Sequence, residues 1–131
     1  MKEYYRVQAD IDLDAIQSNI RRTREILQKD TKIMAIIKAD GYGHGAIAVG
    51  KSIDSYVDAF GIATVHEGME LRKAGFIKPI LILGFNPIIY IDEAIEYDLI
   101  QTVFDYDTAM AVAEAARRIK KKAKIHIKLD T

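Results

Sequence analysis

The sequence predicts an α/β fold built on a parallel sheet, and three observations lead there. Short apolar runs, at 33–37, 60–63, 80–83, 100–104 and 125–129, recur about every 20 to 25 residues. Between each pair of runs lies a segment of helical period, the rhythm of successive βα units. Most runs are unbroken rather than alternating, as expected of strands covered on both faces. Right-handed crossovers curl such units in one direction. Periodicity fits a doubly wound open sheet and an incomplete barrel equally.

Taken in order, residues 7–13 alternate apolar and polar (Val7, Ala9, Ile11, Leu13), which predicts a leading half-buried strand running into a helix. Asp12 or Asp14 can cap that helix, because a carboxylate accepts the free N–H groups of a first turn. Leu13, Ile16, Ile20 and Leu27 form its apolar stripe. The run Ile33-Met34-Ala35-Ile36-Ile37 then predicts a covered strand ending at Lys38. A helix through Ile47, Gly50, Ile53 and Val57 leads to 60–63, and Gly75 stops the helix before 80–83. Pro87 suits the first turn of the next helix. Asp107 is expected to start an Ala-rich helix through Ala109, Val112, Ala116 and Ile119, before the last strand at 125–129.

Composition excludes several functions. Nineteen Lys and Arg balance nineteen Asp and Glu, so no net field draws the chain to nucleic acid or an acidic membrane. The basic run Arg117, Arg118, Lys120, Lys121 and Lys122 reads as the dipole-complementing end of a helix. No cysteine is present, which removes disulfides, thiolate-bound zinc and thiol catalysis and fits a reducing cytoplasm. His44, His66 and His126 lack metal-site spacing, so no metal is expected. Residues 1–6 lack the apolar stretch of a signal peptide, and no run approaches the roughly 20 apolar residues of a membrane span.

The residue that asks for chemistry is Lys38. Parallel-sheet active sites form beyond the C-terminal ends of strands, where Lys38 falls. Apolar neighbours would disfavour its ammonium form, and the neutral amine is the form that attacks an aldehyde. The plainer reading is a lysine reaching into solvent. Behind it runs Ala39-Asp40-Gly41-Tyr42-Gly43-His44-Gly45, whose three glycines permit unusual dihedrals. Opening into a helix, this loop is expected to turn free N–H groups toward an anion, with the Tyr42 hydroxyl as a further donor. The spacing matches neither dinucleotide nor P-loop patterns.

The stretch Ile36-Ile37-Lys38-Ala39-Asp40-Gly41-Tyr42-Gly43-His44-Gly45 closely resembles the pyridoxal 5′-phosphate lysine signature of alanine racemases. The resemblance extends over essentially the whole chain. Asp10-Ile11-Asp12-Leu13-Asp14-Ala15-Ile16 is similar to the family's opening segment, Ile80-Leu81-Ile82-Leu83-Gly84 to its third barrel strand, and His126-Ile127-Lys128-Leu129-Asp130-Thr131 to its fifth. It implies a partial (β/α)8 TIM barrel of about five parallel strands with flanking helices plus the leading N-terminal strand. It also implies a cofactor, pyridoxal 5′-phosphate. Lys38 would form the Schiff base and serve as the base on one face of the substrate. Tyr42 would bind the cofactor phosphate, and Ile36 and Leu83 would line its ring. Lys128 matches a lysine that many members carbamylate to orient an arginine, which would lie past residue 131. A plain inward-pointing lysine is the other reading.

The same resemblance implies that residues 1–131 are the N-terminal part of a larger barrel domain. A full barrel takes about 250 residues. The opposite catalytic base would be a tyrosine of a C-terminal β-domain supplied across a homodimer, and later loops would hold the phosphate. The implied activity is cytoplasmic interconversion of L- and D-alanine for peptidoglycan. A serine racemase, a non-catalytic pyridoxal phosphate-binding barrel and an inert folding unit are the alternatives.

Overall fold

The computed structural model describes residues 7–129. Five parallel strands form one sheet in the order β1 (Met34–Ile36), β2 (Ala59–Ile62), β3 (Ile80–Ile82), β4 (Ile100–Val103) and β5 (Lys124–Ile127). Each strand pairs with the strand before it. No chain reversal brings a later strand between earlier ones, so the sheet curls one way as part of a barrel rather than forming the doubly wound alternative. Helices α1 (Leu13–Ile26), α3 (Ala46–Ile53), α4 (Val65–Lys73), α5 (Ile91–Glu96) and α6 (Tyr106–Ile119) flank it. A one-turn element, α2 (Lys38–Tyr42), follows β1. Among the described residues no helix is long and apolar enough to cross a membrane.

The core lies between sheet and helices. Phe60, Ile62, Ile80 and Ile82 point outward from β2 and β3 and meet Val49, Ile53, Val65 and Leu71 from the helices. A second cluster joins Val103 of β4 to Ile91, Ile95, Val112 and Ala115 of α5 and α6. Burying each Val, Leu, Ile or Phe side chain among them contributes about 1.5 to 3 kcal/mol. The other sheet face holds Gly61, Leu81 and Thr102, and this inner face carries the candidate active site.

Several local expectations change. Residues 7–12 form no strand, and Val7 is 86% exposed. Alternation there is real, but these residues are mostly exposed and join no strand of the sheet, leaving the β1 edge unpaired among the described residues. Asp12, not Asp14, caps α1 by accepting the Ala15 N–H at 2.9 Å. Asp105, rather than Asp107, caps α6, its carboxylate accepting the Thr108 N–H at 2.7 Å. That bond holds the Asp105 carboxyl below its ordinary range. Strand β1 is not covered on both faces: Met34 and Ile36 are 38% and 37% exposed, because β1 is an edge strand. The expected stop at Gly75 forms with φ +92°. Residues 1–6 and 130–131, including the end of the fifth-strand motif, lie outside the described residues.

Asp58 ties the first helix to the sheet. Its Oδ2 accepts the Ile33 N–H at 2.7 Å and the Arg24 guanidinium at 2.7 Å. The backbone bond from Ile33, then Arg24, holds its carboxyl below the ordinary range. A folded pKa below the unfolded one gives stability that is complete above the unfolded value of about 3.9 and is lost as pH falls through the folded value. Asp58→Asn should therefore lower the thermal midpoint at neutral pH, and the gap to wild type should close in acid. Scanning calorimetry across pH checks this. A gap that stays constant into acid would assign the effect to packing rather than charge.

Candidate active site

Strand β1 delivers Lys38 to the C-terminal end of the sheet, and the backbone beyond it is unusual. Ala39, Asp40, Gly41 and Tyr42 all have positive φ, at 50°, 52°, 63° and 58°. Four consecutive left-handed residues make a left-handed turn, which costs roughly 1 to 2 kcal/mol per non-glycine residue. Gly43 continues at φ +82° and Gly45 at +87°, where glycine is needed.

The turn is held from within. Gly41 N–H donates to Ile37 O at 2.9 Å, Gly43 N–H to Ala39 O at 3.0 Å, and Gly45 N–H to Asp40 O at 2.8 Å. Ala46 N–H donates to Asp40 Oδ1 at 2.8 Å. These amides of the loop are spent on the turn and are not free for an anion. The glycines serve the turn's handedness instead. His44 makes only the local contact expected of a loop histidine, Nδ1 lying 3.2 Å from Tyr42 O.

Lys38 is half-buried and opens on a groove of about 470 Å³. Ala63, Leu81 and Leu83 give the groove apolar walls, while Thr102, His126 and Lys128 bring polar groups from the far side. Three residues singled out in the sequence, Lys38, Leu83 and Lys128, thus share one cavity although 90 positions separate the first from the last. Among the described residues no ion pair engages the Lys38 ammonium.

Ile36 and Leu83 meet from either side of Gly61. A Cβ on Gly61 would stand 2.5 Å from Ile36 Cδ1 and 3.2 Å from Leu83 Cδ1. The missing side chain on β2 lets these two apolar groups close over the strand. Tyr42 lies elsewhere. Its side chain is 60% exposed and, with Ile36, Gly41 and Ile16, borders a separate hollow of about 240 Å³ at the β1 edge.

Three residues around Lys38 carry roles that the sequence alone does not assign. His126 could face the helix layer or the core on sequence grounds. The pairing of His126 with Thr102 and of Ile127 with Val103 puts it on the inner face, and the alternation along β5 carries that signal. Thr102 is anchored by its hydroxyl, which donates to Ile82 O at 2.6 Å. Glu67 stands outside the groove but close to its lysine. Its Oε1 accepts the N–H of Ala39, next to Lys38, at 2.8 Å.

A primary amine free of ion pairs, set against apolar walls with cationic and hydroxyl groups opposite, fits an aromatic aldehyde bearing polar substituents. Among the described residues that line the groove there is no carboxylate.

Comparison with known proteins gives a consistent picture. The family described as alanine racemase, N-terminal domain, matches residues 11–131. Alanine racemase 1 of Oceanobacillus iheyensis is 42% identical over 123 residues, 93% of this chain and 33% of that protein. Alanine racemase 1 of Caldanaerobacter subterraneus subsp. tengcongensis is 44% identical over 93% of this chain and 32% of its own length. The alanine racemase of Clostridium difficile 630 in complex with cycloserine superposes with a TM-score of 0.89 at 38% identity, over 92% of this chain and 32% of that one. That of Bacillus anthracis with bound L-Ala-P gives 0.80 at 34% identity, over 91% and 31%. The chain spans about a third of the length of these relatives.

Proposed function

We propose that this chain, which belongs to the alanine racemase family through its N-terminal domain, provides the Schiff-base lysine of a pyridoxal 5′-phosphate-dependent racemase acting on alanine. The observation that carries this reading is the position of Lys38 at the mouth of a parallel sheet, opening on a groove with Leu83 and Lys128. The cycloserine and L-Ala-P complexes of the solved relatives support a small amino acid as substrate.

When bound, pyridoxal phosphate supplies an electron sink for the substrate α-carbon once its proton leaves. The chain's own residues do the rest. Lys38 Nζ would hold the cofactor through its aldehyde carbon, with loss of water, and would take and return the α-proton on its own face. Ile36 and Leu83, packed over Gly61, offer a flat apolar surface for the pyridine ring. Lys128 brings its side chain to the opposite wall; as an ammonium it would favour negative charge in the groove, whereas a carbamate on it would itself be anionic and would take the other role, orienting a cationic group. Tyr42 borders the neighbouring hollow at the β1 edge together with Ile36, and to hold the cofactor phosphate it would have to reach into the groove from there. The base on the opposite face, the homodimer that would supply it, and a cytoplasmic role in providing D-alanine for peptidoglycan belong to this proposal. So does the assignment of residues 1–131 to the N-terminal part of a larger barrel domain.

The test is direct. The purified chain is incubated with pyridoxal phosphate, reduced with borohydride, digested and mapped by mass spectrometry. One label, on Lys38, is expected, with a yellow absorbance band before reduction. Label spread over the exposed lysines, with no preference for Lys38, would overturn the reading.

A further inference from the structure

Glu67 sits in the first turn of α4, three residues after the N-cap Thr64. In an ordinary capping box its carboxylate would accept the N-cap N–H and turn its remaining oxygen to water. Here both oxygens are engaged. Oε2 accepts the Ala63 N–H at 2.7 Å and the Thr64 N–H at 3.3 Å, at the end of β2. Oε1 reaches across to the Ala39 N–H at 2.8 Å, a residue 28 positions earlier. One carboxylate therefore joins the loop after β1 to the loop after β2.

The bond lands at a consequential place. Ala39 follows Lys38 directly and is the first residue of the left-handed turn. The turn's internal bonds fix its shape but not its attachment to the sheet. Ile37 is tied to β2 by its N–H to Gly61 O at 2.9 Å, and Glu67 is the next link after it. Lys38 lies between these two anchors. Its Cα, and hence the direction in which its amine leaves the backbone, is set by both.

We propose that Glu67 is a positioning residue for Lys38, clamping the left-handed turn to the neighbouring strand so that the lysine amine points into the groove. The role rests on reading Lys38 as the amine that captures the cofactor. Glu67 is not among the residues lining the groove, so it acts through backbone. A glutamine at this position keeps the size but turns an NH2 group toward at least one N–H donor, losing an acceptor where a charged one stood.

The experiment compares wild type, Glu67→Gln, Glu67→Asp and Thr64→Ala, using pyridoxal phosphate as the probe. Two readouts are taken: the rate of borohydride-fixed labelling at Lys38, and amide hydrogen exchange at Ala39. Thr64→Ala removes the hydroxyl that accepts the Glu67 N–H at 3.3 Å, weakening the same helix start without touching the Ala39 bond. Glu67→Gln should slow labelling on the order of tenfold and speed Ala39 exchange similarly, the scale of one charge-assisted bond. Glu67→Asp, too short to span both loops, should fall between and remains informative if the glutamine variant folds poorly. Thr64→Ala should lower the thermal midpoint yet leave both readouts at wild-type values. Equal slowing in Thr64→Ala and Glu67→Gln would reduce Glu67 to a helix cap and overturn the proposal. So would wild-type rates in Glu67→Gln. Absence of Lys38 label in wild type itself would instead remove the cofactor reading, and this role with it.

Discussion

Lys38→Ala should lose covalent capture of pyridoxal phosphate entirely while the chain keeps its fold. No other residue in the groove combines a primary amine with a place beside the apolar wall: Lys128 stands opposite, on the β5 side. The half-buried Lys38 side chain makes no ion pair among the described residues, so its truncation belongs with substitutions worth about 0.5 kcal/mol or less. The expected result is label at background level and a thermal midpoint within a few degrees of wild type. Lys128→Ala is the informative partner, because it removes the other groove lysine and should leave the Lys38 label in place. Transfer of full labelling to Lys128 in the Lys38→Ala chain would mean that the groove, rather than one lysine, selects the aldehyde.

Phe60→Ala should give the largest loss of stability. Phe60 is fully buried on the outer face of β2 and meets Phe76 edge to face, with ring centroids 5.1 Å apart. Ile53, Val57 and Leu71 close the same cluster, so little is free to collapse into the space the ring leaves. Truncating a buried phenylalanine costs about 3 to 5 kcal/mol. Domains of this size are stable by about 5 to 15 kcal/mol, so the substitution would remove a large part of the total. Urea unfolding followed by circular dichroism should show the midpoint falling with little change in slope. A loss below about 1 kcal/mol would mean that the helices repack over the vacancy and that the cluster is looser than its burial implies.

The central strands are legible in the sequence because an unbroken apolar run is an imprint of burial on two faces, and the run 80–83 is the clearest case: Ile80, Leu81 and Ile82 are all buried, whereas in the edge strands β1 and β5 most residues are exposed. Residues 7–13 carry an equally visible alternation and yet form no strand. Alternation describes how a strand would present its side chains, while a strand exists only where a neighbour supplies hydrogen bonds. Lys38 is legible from its position after an apolar run and from the motif around it. The left-handed turn is half legible. Its glycines announce positive φ, but nothing in the types alanine, aspartate and tyrosine signals that Ala39, Asp40 and Tyr42 share it. Glycine content alone also does not show that the loop amides of Gly41, Gly43 and Gly45 are used within the turn itself. Thr64 and Glu67 have the spacing of a capping box, so the local half of Glu67's role is open to a reading of the sequence. Its bond to Ala39 is not, because that contact exists only once β1 and β2 lie side by side.

The neighbour-to-neighbour order of the five strands bears on how the molecule is made. As a ribosome releases the chain, each new strand finds its docking edge already built, since that edge is always the strand just completed. None has to wait for a distant segment, since each pairing closes a single βα unit. Assembly can then proceed as a zipper from the N-terminal side, and the Glu67 clamp closes at its second step, fastening Lys38 before the far wall of the groove has been synthesised.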